Sequence, residues 1–313
     1  MNSPVALFVY NRTEHTAKVL ENLRKNFLAR ETTVFVFGDG PKENATAAER
    51  EKIAAVREVV SRAGGFREIK TFFSEHNRGI GRSMTSGISR VLAEHDRIIV
   101  LEDDVVTAPN FLNFCNQSLD KYSTEENVMH VSGFMYPLSS ALPDTFFLPS
   151  VACWGWATWA RAWKSYESNT KLLLEKIESV GKVAFDLGET YSYYELLARQ
   201  LNCNEFNFDW DIHWYASVFL KKGIALYPGK SLASNIGMDG SGTHWKQSDD
   251  FSVELDNMSQ DKRFEFRAKI QIDERVFEEV KRYFNRLANP GLAKKFLKRF
   301  RDSWNYRIAG KSN

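Results

Sequence analysis

The stretch Arg97-Ile98-Ile99-Val100-Leu101-Glu102-Asp103-Asp104 constrains the fold of this chain more than any other. An unbroken apolar run of strand length reads as a strand buried on both faces, as in a parallel sheet. Three acids then follow at its carboxyl end, the edge where open α/β sheets bind ligands. Adjacent carboxylates repel one another unless a cation is present, and their hard oxygens suit Mn2+ or Mg2+ bridging a diphosphate. Taken alone, the triplet also fits a polar loop with its acids in water.

The first hundred residues place that strand in a repeating pattern. Val5 to Tyr10 is strand-like, and Thr13 to Lys25 carries Ala17, Leu20 and Leu23 at helical spacing. Thr33 to Phe37 predicts a second strand, closed by the turn signal Gly38-Asp39-Gly40-Pro41. A charged amphipathic helix over Ala45 to Ala63, a strand over Arg67 to Phe73 and a helix over Gly81 to His95 follow. This alternation predicts a Rossmann-like, mostly parallel sheet flanked by helices. Beyond it, helical patterns cover Asn110–Tyr122, Thr170–Val180, Tyr193–Leu201 and Trp210–Lys222, with strands at Val128–Ser132 and Ile224–Tyr227. Pro137 to Pro149 reads as loop, and no internal repeat is evident.

Composition excludes several classes. A net charge of +2 gives no global support for nucleic-acid binding. The three cysteines, Cys115, Cys153 and Cys203, lack CxxC spacing and read as three buried thiols in a reducing compartment. No apolar run approaches the ~20 residues of a membrane span, and no secretory leader is visible, so the expected location is cytoplasmic.

Several short motifs occur in order: a βαβ start, Asp39 closing the second strand, Asn77-Arg78-Gly79 before a helix, and the strand ending in Glu102-Asp103-Asp104. Together they resemble the GT-A class of nucleotide-sugar glycosyltransferases. Later segments, up to about Trp245, resemble the Golgi mannoside N-acetylglucosaminyltransferase family and its bacterial relatives. The resemblance implies a metal-dependent inverting transferase that moves a sugar, GlcNAc among the candidates, from a UDP-sugar to a glycan or lipid-linked glycan. It implies a catalytic domain over 1–270, divided into a nucleotide-binding half (1–106) and an acceptor-side half (107–270) with a flexible loop near 237–250.

The same resemblance assigns roles. Arg12 and Asp39 match nucleotide contacts, Asp39 reading the uracil edge, and Arg78 belongs with them; a turn residue beside Gly40 is the plainer role for Asp39. Asp104 matches the direct metal ligand, with Asp103 near the ribose or a metal-bound water and Glu102 near the sugar. Trp154-Gly155-Trp156 resembles the segment beneath the acceptor, with Gly155 letting backbone approach the ligand, although three Trp in six residues also suit a core. Phe208-Asp209-Trp210-Asp211-Ile212-His213-Trp214 resembles the segment that carries the catalytic base and lines the acceptor pocket with Trp210. Asp211 is then the base and Asp209 the alternative, desolvated between indoles; helix capping is the ordinary role for either. The Gly-rich stretch 235–245 resembles a loop closing over the donor. Within it Ser241 and Thr243 would meet the diphosphate and His244 would join the metal shell, though a lone His is usually not a ligand.

From Glu274 a basic amphipathic helical tail begins, with Lys294, Lys295, Lys298, Arg299 and Arg301 opposite Phe296, Leu297, Phe300 and Trp304. That pattern fits peripheral contact with anionic lipid or a helix docked on the catalytic domain. Two rival functions fit parts of the pattern. A sugar-nucleotide pyrophosphorylase would need a Gly-rich basic loop after the first strand, which Tyr10-Asn11-Arg12-Thr13 lacks; the other rival is a non-catalytic UDP-sugar-binding or lectin-like domain.

Overall fold

The structure is a computed structural model and describes residues 2–203, 208–239, 250–256, 259 and 262–288. In chain order the first half runs β1 (Val5–Val9), α1 (Thr13–Arg24), β2 (Thr33–Gly38), α2 (Ala47–Arg62), β3 (Glu68–Phe73), α3 (Ile80–Leu92) and β4 (Arg97–Glu102). Then come β5 (Val105–Thr107), α4 (Phe111–Lys121), β6 (Val128–Ser132), β7 (Thr145–Leu148), β8 (Trp156–Trp159) and α5 (Ala160–Trp163). The remainder is α6 (Thr170–Val180), α7 (Lys182–Phe185), α8 (Tyr193–Arg199), α9 (Trp210–Leu220), β9 (Ile224–Pro228), β10 (Ala233–Asn235) and α10 (Glu274–Ala288).

One eight-stranded sheet has the order β3-β2-β1-β4-β8-β6-β9-β7. The β3-β2-β1-β4 half is wholly parallel, and only β8 and β7 run against the rest. Period-two alternation splits the buried residues between the two faces. Val5, Leu7, Ile99 and Leu101 pack against α1, α2 and α4, whereas Ala6, Phe8, Ile98 and Val100 face α3 and α9. The fold is therefore α/β with a mostly parallel central sheet flanked by helices, as the first hundred residues predict.

Local chemistry sets the helix starts. Helix α2 begins two residues later than its apolar pattern, because Thr46 and Glu49 form a capping box: Glu49 N donates to Thr46 Oγ1 at 3.2 Å and Thr46 N to Glu49 Oε2 at 2.8 Å. Such a cap contributes about 1 kcal/mol. Helix α6 starts where Asn169 Oδ1 accepts from Leu172 N.

Four short strands depart from the expectations. The 137–149 stretch contains β7, an apolar run of four residues between Pro143 and Pro149, too short to show a period. Strand β8 lies between β4 and β6 in the middle of the sheet, with Trp156 paired to Val100. Strands β5 and β10 form a separate antiparallel ladder in which Val105 faces Asn235.

The segment before α10 covers the β7 edge. Ile272 bridges Phe147, Asp273 N donates to Phe147 O at 2.9 Å, and Thr145 Oγ1 donates to Glu265 O at 2.7 Å. Helix α10 then buries Val276, Val280, Tyr283 and Phe284 in the core on the α3/α9 side. This part of the expected tail is docked; Lys294 to Trp304 lie outside the described residues. Among the cysteines only Cys115 is buried, Cys153 is partly so and Cys203 is exposed. No helix among the described residues is long and apolar enough to cross a membrane.

Candidate active site

Strand order reverses between β1 and β4, and a crevice opens there beyond their carboxyl ends. Arg12, at the N-cap of α1 just after β1, reaches across to the acids after β4. Its Nε donates to Asp103 Oδ1 at 3.1 Å, its Nη2 pairs with the same carboxylate, and Nη2 also donates to Asp104 Oδ2 at 2.9 Å. Tyr10 N adds a bond to Asp103 Oδ2 at 3.2 Å. Burial works against the charge of Arg12, but Asp103 and Asp104 more than offset it and raise its pKa. Asp103, expected near the ribose or a metal-bound water, is 5% exposed and is occupied with anchoring Arg12.

Asp39 has a similar internal role. Its carboxylate accepts from the backbone amides of Gly40, Arg78 and Gly79 at 2.8, 2.8 and 3.0 Å and from Asn77 Nδ2 at 3.1 Å. Four donors match the roughly four lone-pair sites of a carboxylate. Asp39 thus ties the loop before α3 to the end of β2, and reading a base edge there would require one donor to be displaced. The Arg78 side chain is exposed, and only its backbone joins this clamp.

Glu102 and Asp104 line a cavity of about 580 Å³ together with Arg12, Asp209 and Asp211. Glu102 is partly buried, and its pKa stands well above the usual carboxylate range, first through burial and then through the nearby charges of Asp104, Asp211 and Asp103. Across the cavity, Asp211 lies in the first turn of α9 and is exposed. The desolvation expected for Asp211 between indoles is absent, because Trp210 and Trp214 point from the other face of α9 into the core, 3% and 0% exposed. Asp209 sits at the N-cap position of α9 without a side-chain cap bond. Its carboxylate instead accepts from Gln200 Nε2 at 2.8 Å, while Asp209 N donates to Gln200 Oε1 at 2.9 Å.

The three neighbours Trp154, Gly155 and Trp156 have different fates. Trp154 lines the cavity, edge-on to Phe134 at 4.7 Å. Trp156 is fully buried, stacked on His130 at 5.0 Å and Trp210 at 5.5 Å, and is core rather than sugar pocket. Its indole Nε1 has no hydrogen-bond partner among the described residues. Trp210 touches the cavity only at its margin while serving this aromatic core. Gly155 has φ +70°, and a Cβ there would lie 2.8 Å from Ala233 Cβ, so the backbone approaches β10 and not a ligand.

The β5–β10 ladder carries the chain back over the acids. Ile236 N donates to Asp104 O at 2.7 Å, and a Cβ on Gly237 would overlap Asp104 Oδ2 and come within 2.9 Å of Arg12 Nη1. Ser241, Thr243 and His244 lie outside the described residues. Among the described residues no cluster of three or more His, Cys, Asp or Glu forms a ready metal cage. The donors that are present, Asp104 with Glu102 beside it, fit a cation held by one or two carboxylates and completed by phosphate and water.

Sequence reasoning missed Gln200, Tyr191, Tyr193 and Phe284, all on the cavity wall. Tyr193, Gln200 and Phe284 lie in stretches read as helical and Tyr191 in none, and nothing in those patterns marks the faces that meet at the cavity.

A scan against protein-family models gives no match, and no curated protein matches by sequence. Solved structures do align. Residues 1–349 of S. aureus TarS match with TM-score 0.42 and 13% identity over 74% of this chain and 60% of that one. The mannosyltransferase PcManGT from Pyrobaculum calidifontis, in complex with GDP-Man and Mn2+, matches with TM-score 0.40 and 13% identity over 70% and 69%. A longer S. aureus TarS structure matches with TM-score 0.34 and 14% identity over 63% and 33%. The chain thus spans 60% of the length of the first of these.

Proposed function

We propose that this chain is a nucleotide-sugar glycosyltransferase of the GT-A type. The observation that carries the reading is the cavity at the β1/β4 switch point, which has Asp104 and Glu102 on one side and Asp211 on the other. A donor bound at the sheet edge and an acceptor bound against α9 would meet between these carboxylates.

In this scheme the β1–β4 half, residues 1–106, holds a UDP-sugar, UDP-GlcNAc being the first to test, and the half from 107 to 270 presents a glycan or lipid-linked glycan. Arg12 faces the diphosphate with a charge that no accessible pH removes. Asp104, with Glu102 adjacent, would hold Mn2+ or Mg2+. Such an ion, when bound, neutralises charge on the departing diphosphate. Asp211 takes the proton of the acceptor hydroxyl as that oxygen attacks the anomeric carbon. The bond to the nucleotide phosphate breaks on the opposite side, and one displacement inverts the anomeric configuration. Glu102, whose pKa burial and its acidic neighbours raise, would face the donor sugar beside Asp104. The 271–313 segment is proposed as a docked helix continued by a basic stretch that could touch an anionic membrane.

Release of UDP from UDP-GlcNAc in the presence of Mn2+ tests the reading. Asp104→Ala is expected to lower the rate by at least ~10³-fold while circular dichroism and Tm stay near wild type. Undiminished turnover in that variant, or a product retaining the donor configuration, would refute the scheme.

A further inference from the structure

The side of the cavity facing the acids is aromatic. Trp154 precedes β8, Tyr191 comes from the connection between α7 and α8, Tyr193 opens α8, Phe251 follows later in the chain, and Phe284 arrives from α10. Tyr191 and Phe284 have ring centroids 4.9 Å apart, and Trp154 meets Phe251 edge-on at 5.4 Å. Segments distant in sequence therefore converge on one surface. Trp154, Tyr191, Tyr193 and Phe251 keep part of their surface accessible.

The connection that presents Tyr191 is held in an unusual conformation. Leu187, Gly188 and Glu189 have φ of 51°, 73° and 64°, a run of left-handed residues of which only one is glycine. Neighbours fix it from both ends. Leu187 is 2% exposed in the core, Asp186 O accepts from Thr190 N and Tyr191 N, and the Asp186 carboxylate accepts from Tyr194 N at 2.7 Å. The arrangement sets the Tyr191 ring on the cavity wall rather than in solvent.

Charge narrows what can sit there. The cavity carries Glu102, Asp104, Asp209 and Asp211 against Arg12 and Arg199, and Arg12 is already paired with Asp103 and Asp104. An anionic sugar would meet Asp209 and Asp211 at the start of α9, with exposed Arg199 the one cation among the described lining residues outside the Arg12 cluster, two carboxylates against one guanidinium. A neutral sugar ring can lay its C–H face on an aromatic ring while its hydroxyls donate to Asp209 and Asp211. We propose that the Trp154–Tyr191–Phe251 wall, backed by buried Phe284, is the acceptor subsite and that it selects an uncharged pyranoside over a uronic acid or other anionic sugar. This rests on the glycosyltransferase reading and adds the class of acceptor to it.

Ligand-detected saturation-transfer measurements on the full chain with UDP and Mn2+ test it, using methyl glucoside, methyl galactoside and methyl glucuronide as probes. At least one neutral glycoside is expected to bind at least tenfold more tightly than the glucuronide. Tyr191→Ala is expected to weaken that binding fivefold or more, and Tyr191→Phe, which keeps the ring, to restore it. In Asp209→Asn the gap between neutral and anionic probes should narrow. Glucuronide binding equal to the neutral probes, no neutral probe bound, or indifference to Tyr191→Ala overturns the proposal. UDP release from UDP-sugar with a neutral glycoside as acceptor is followed in parallel: its absence alongside intact glycoside selectivity would remove the transferase reading but leave the subsite standing.

Discussion

The two sides of the cavity are built on opposite principles. At the ends of β1 and β4, Arg12, Asp103 and Asp104 lean on one another, and Asp39 nearby accepts from four protein donors. At the start of α9, Asp211 is exposed and its helix is anchored by indoles on the other face. The sheet-edge charges therefore belong both to the fold and to the site, whereas Asp211 can be altered with little consequence for packing. Position in the fold, not residue type, decides which acids are separable from stability.

Two substitutions test that contrast most directly. Arg12→Ala leaves Asp103 buried without its main partner and is expected to cost about 3 kcal/mol of stability, as well as activity. Asp211→Asn is expected to lower kcat by ~10²- to 10⁴-fold, with chemical denaturation unchanged within ~0.5 kcal/mol. Equal stability losses in the two variants would erase the distinction.

Gly237→Ala sharpens it from the backbone side. A methyl group there overlaps the Asp104 carboxylate, so transfer should fall by roughly 10²-fold through displacement of that side chain, with smaller loss of stability than Arg12→Ala causes. A variant with wild-type turnover would show that the 235–237 backbone can give way.

His130 reports on the aromatic core around Trp156 and Trp214. Its Nδ1 accepts from Trp214 Nε1, its Nε2–H donates to Ala152 O, and burial pushes its pKa down to about 3. An unfolded His titrates near ~6.5, so below that pH the unfolded chain takes up a proton that the folded chain refuses. Stability should fall by up to about 1.4 kcal/mol per pH unit between pH 6 and 4, and His130→Gln should lose this part of the slope. A pH titration of urea midpoints measures it.

The smallest expected effect belongs to Glu102. Because its folded pKa is raised, the native chain binds this proton more tightly than the unfolded chain does. Its contribution is therefore full below the ordinary carboxyl value and is lost as pH rises toward the raised one. Glu102→Gln should then raise Tm at pH 8 and change it little at pH 4, as thermal melts at the two pH values measure.

The β1–β4 half was legible because its signals are local. An apolar run such as Ile98–Leu101 predicts a buried parallel strand wherever it occurs, and the acids that follow must emerge at the sheet edge. The later half, from β5 onward, depends on contacts that sequence distance hides. Trp154 and Trp156 look equivalent in the chain, and an unbroken strand would put both on one face, yet Gly155 at φ +70° interrupts the extended run, and one lines the cavity while the other is core. Likewise Asp209 resembles a helix cap until Gln200 pairs with it, and Tyr191 and Phe284 meet across ninety residues of chain.

The two outer strands of the sheet are guarded unequally. Strand β3 has exposed Glu68 and Lys70, charges that discourage docking by a foreign strand. Strand β7 carries the uncharged sequence Thr-Phe-Phe-Leu and relies on residues 264–273 lying across it. A shortened version of this protein ending near residue 262 would therefore bare a sticky apolar margin, and self-association in the test tube would precede any defect in chemistry.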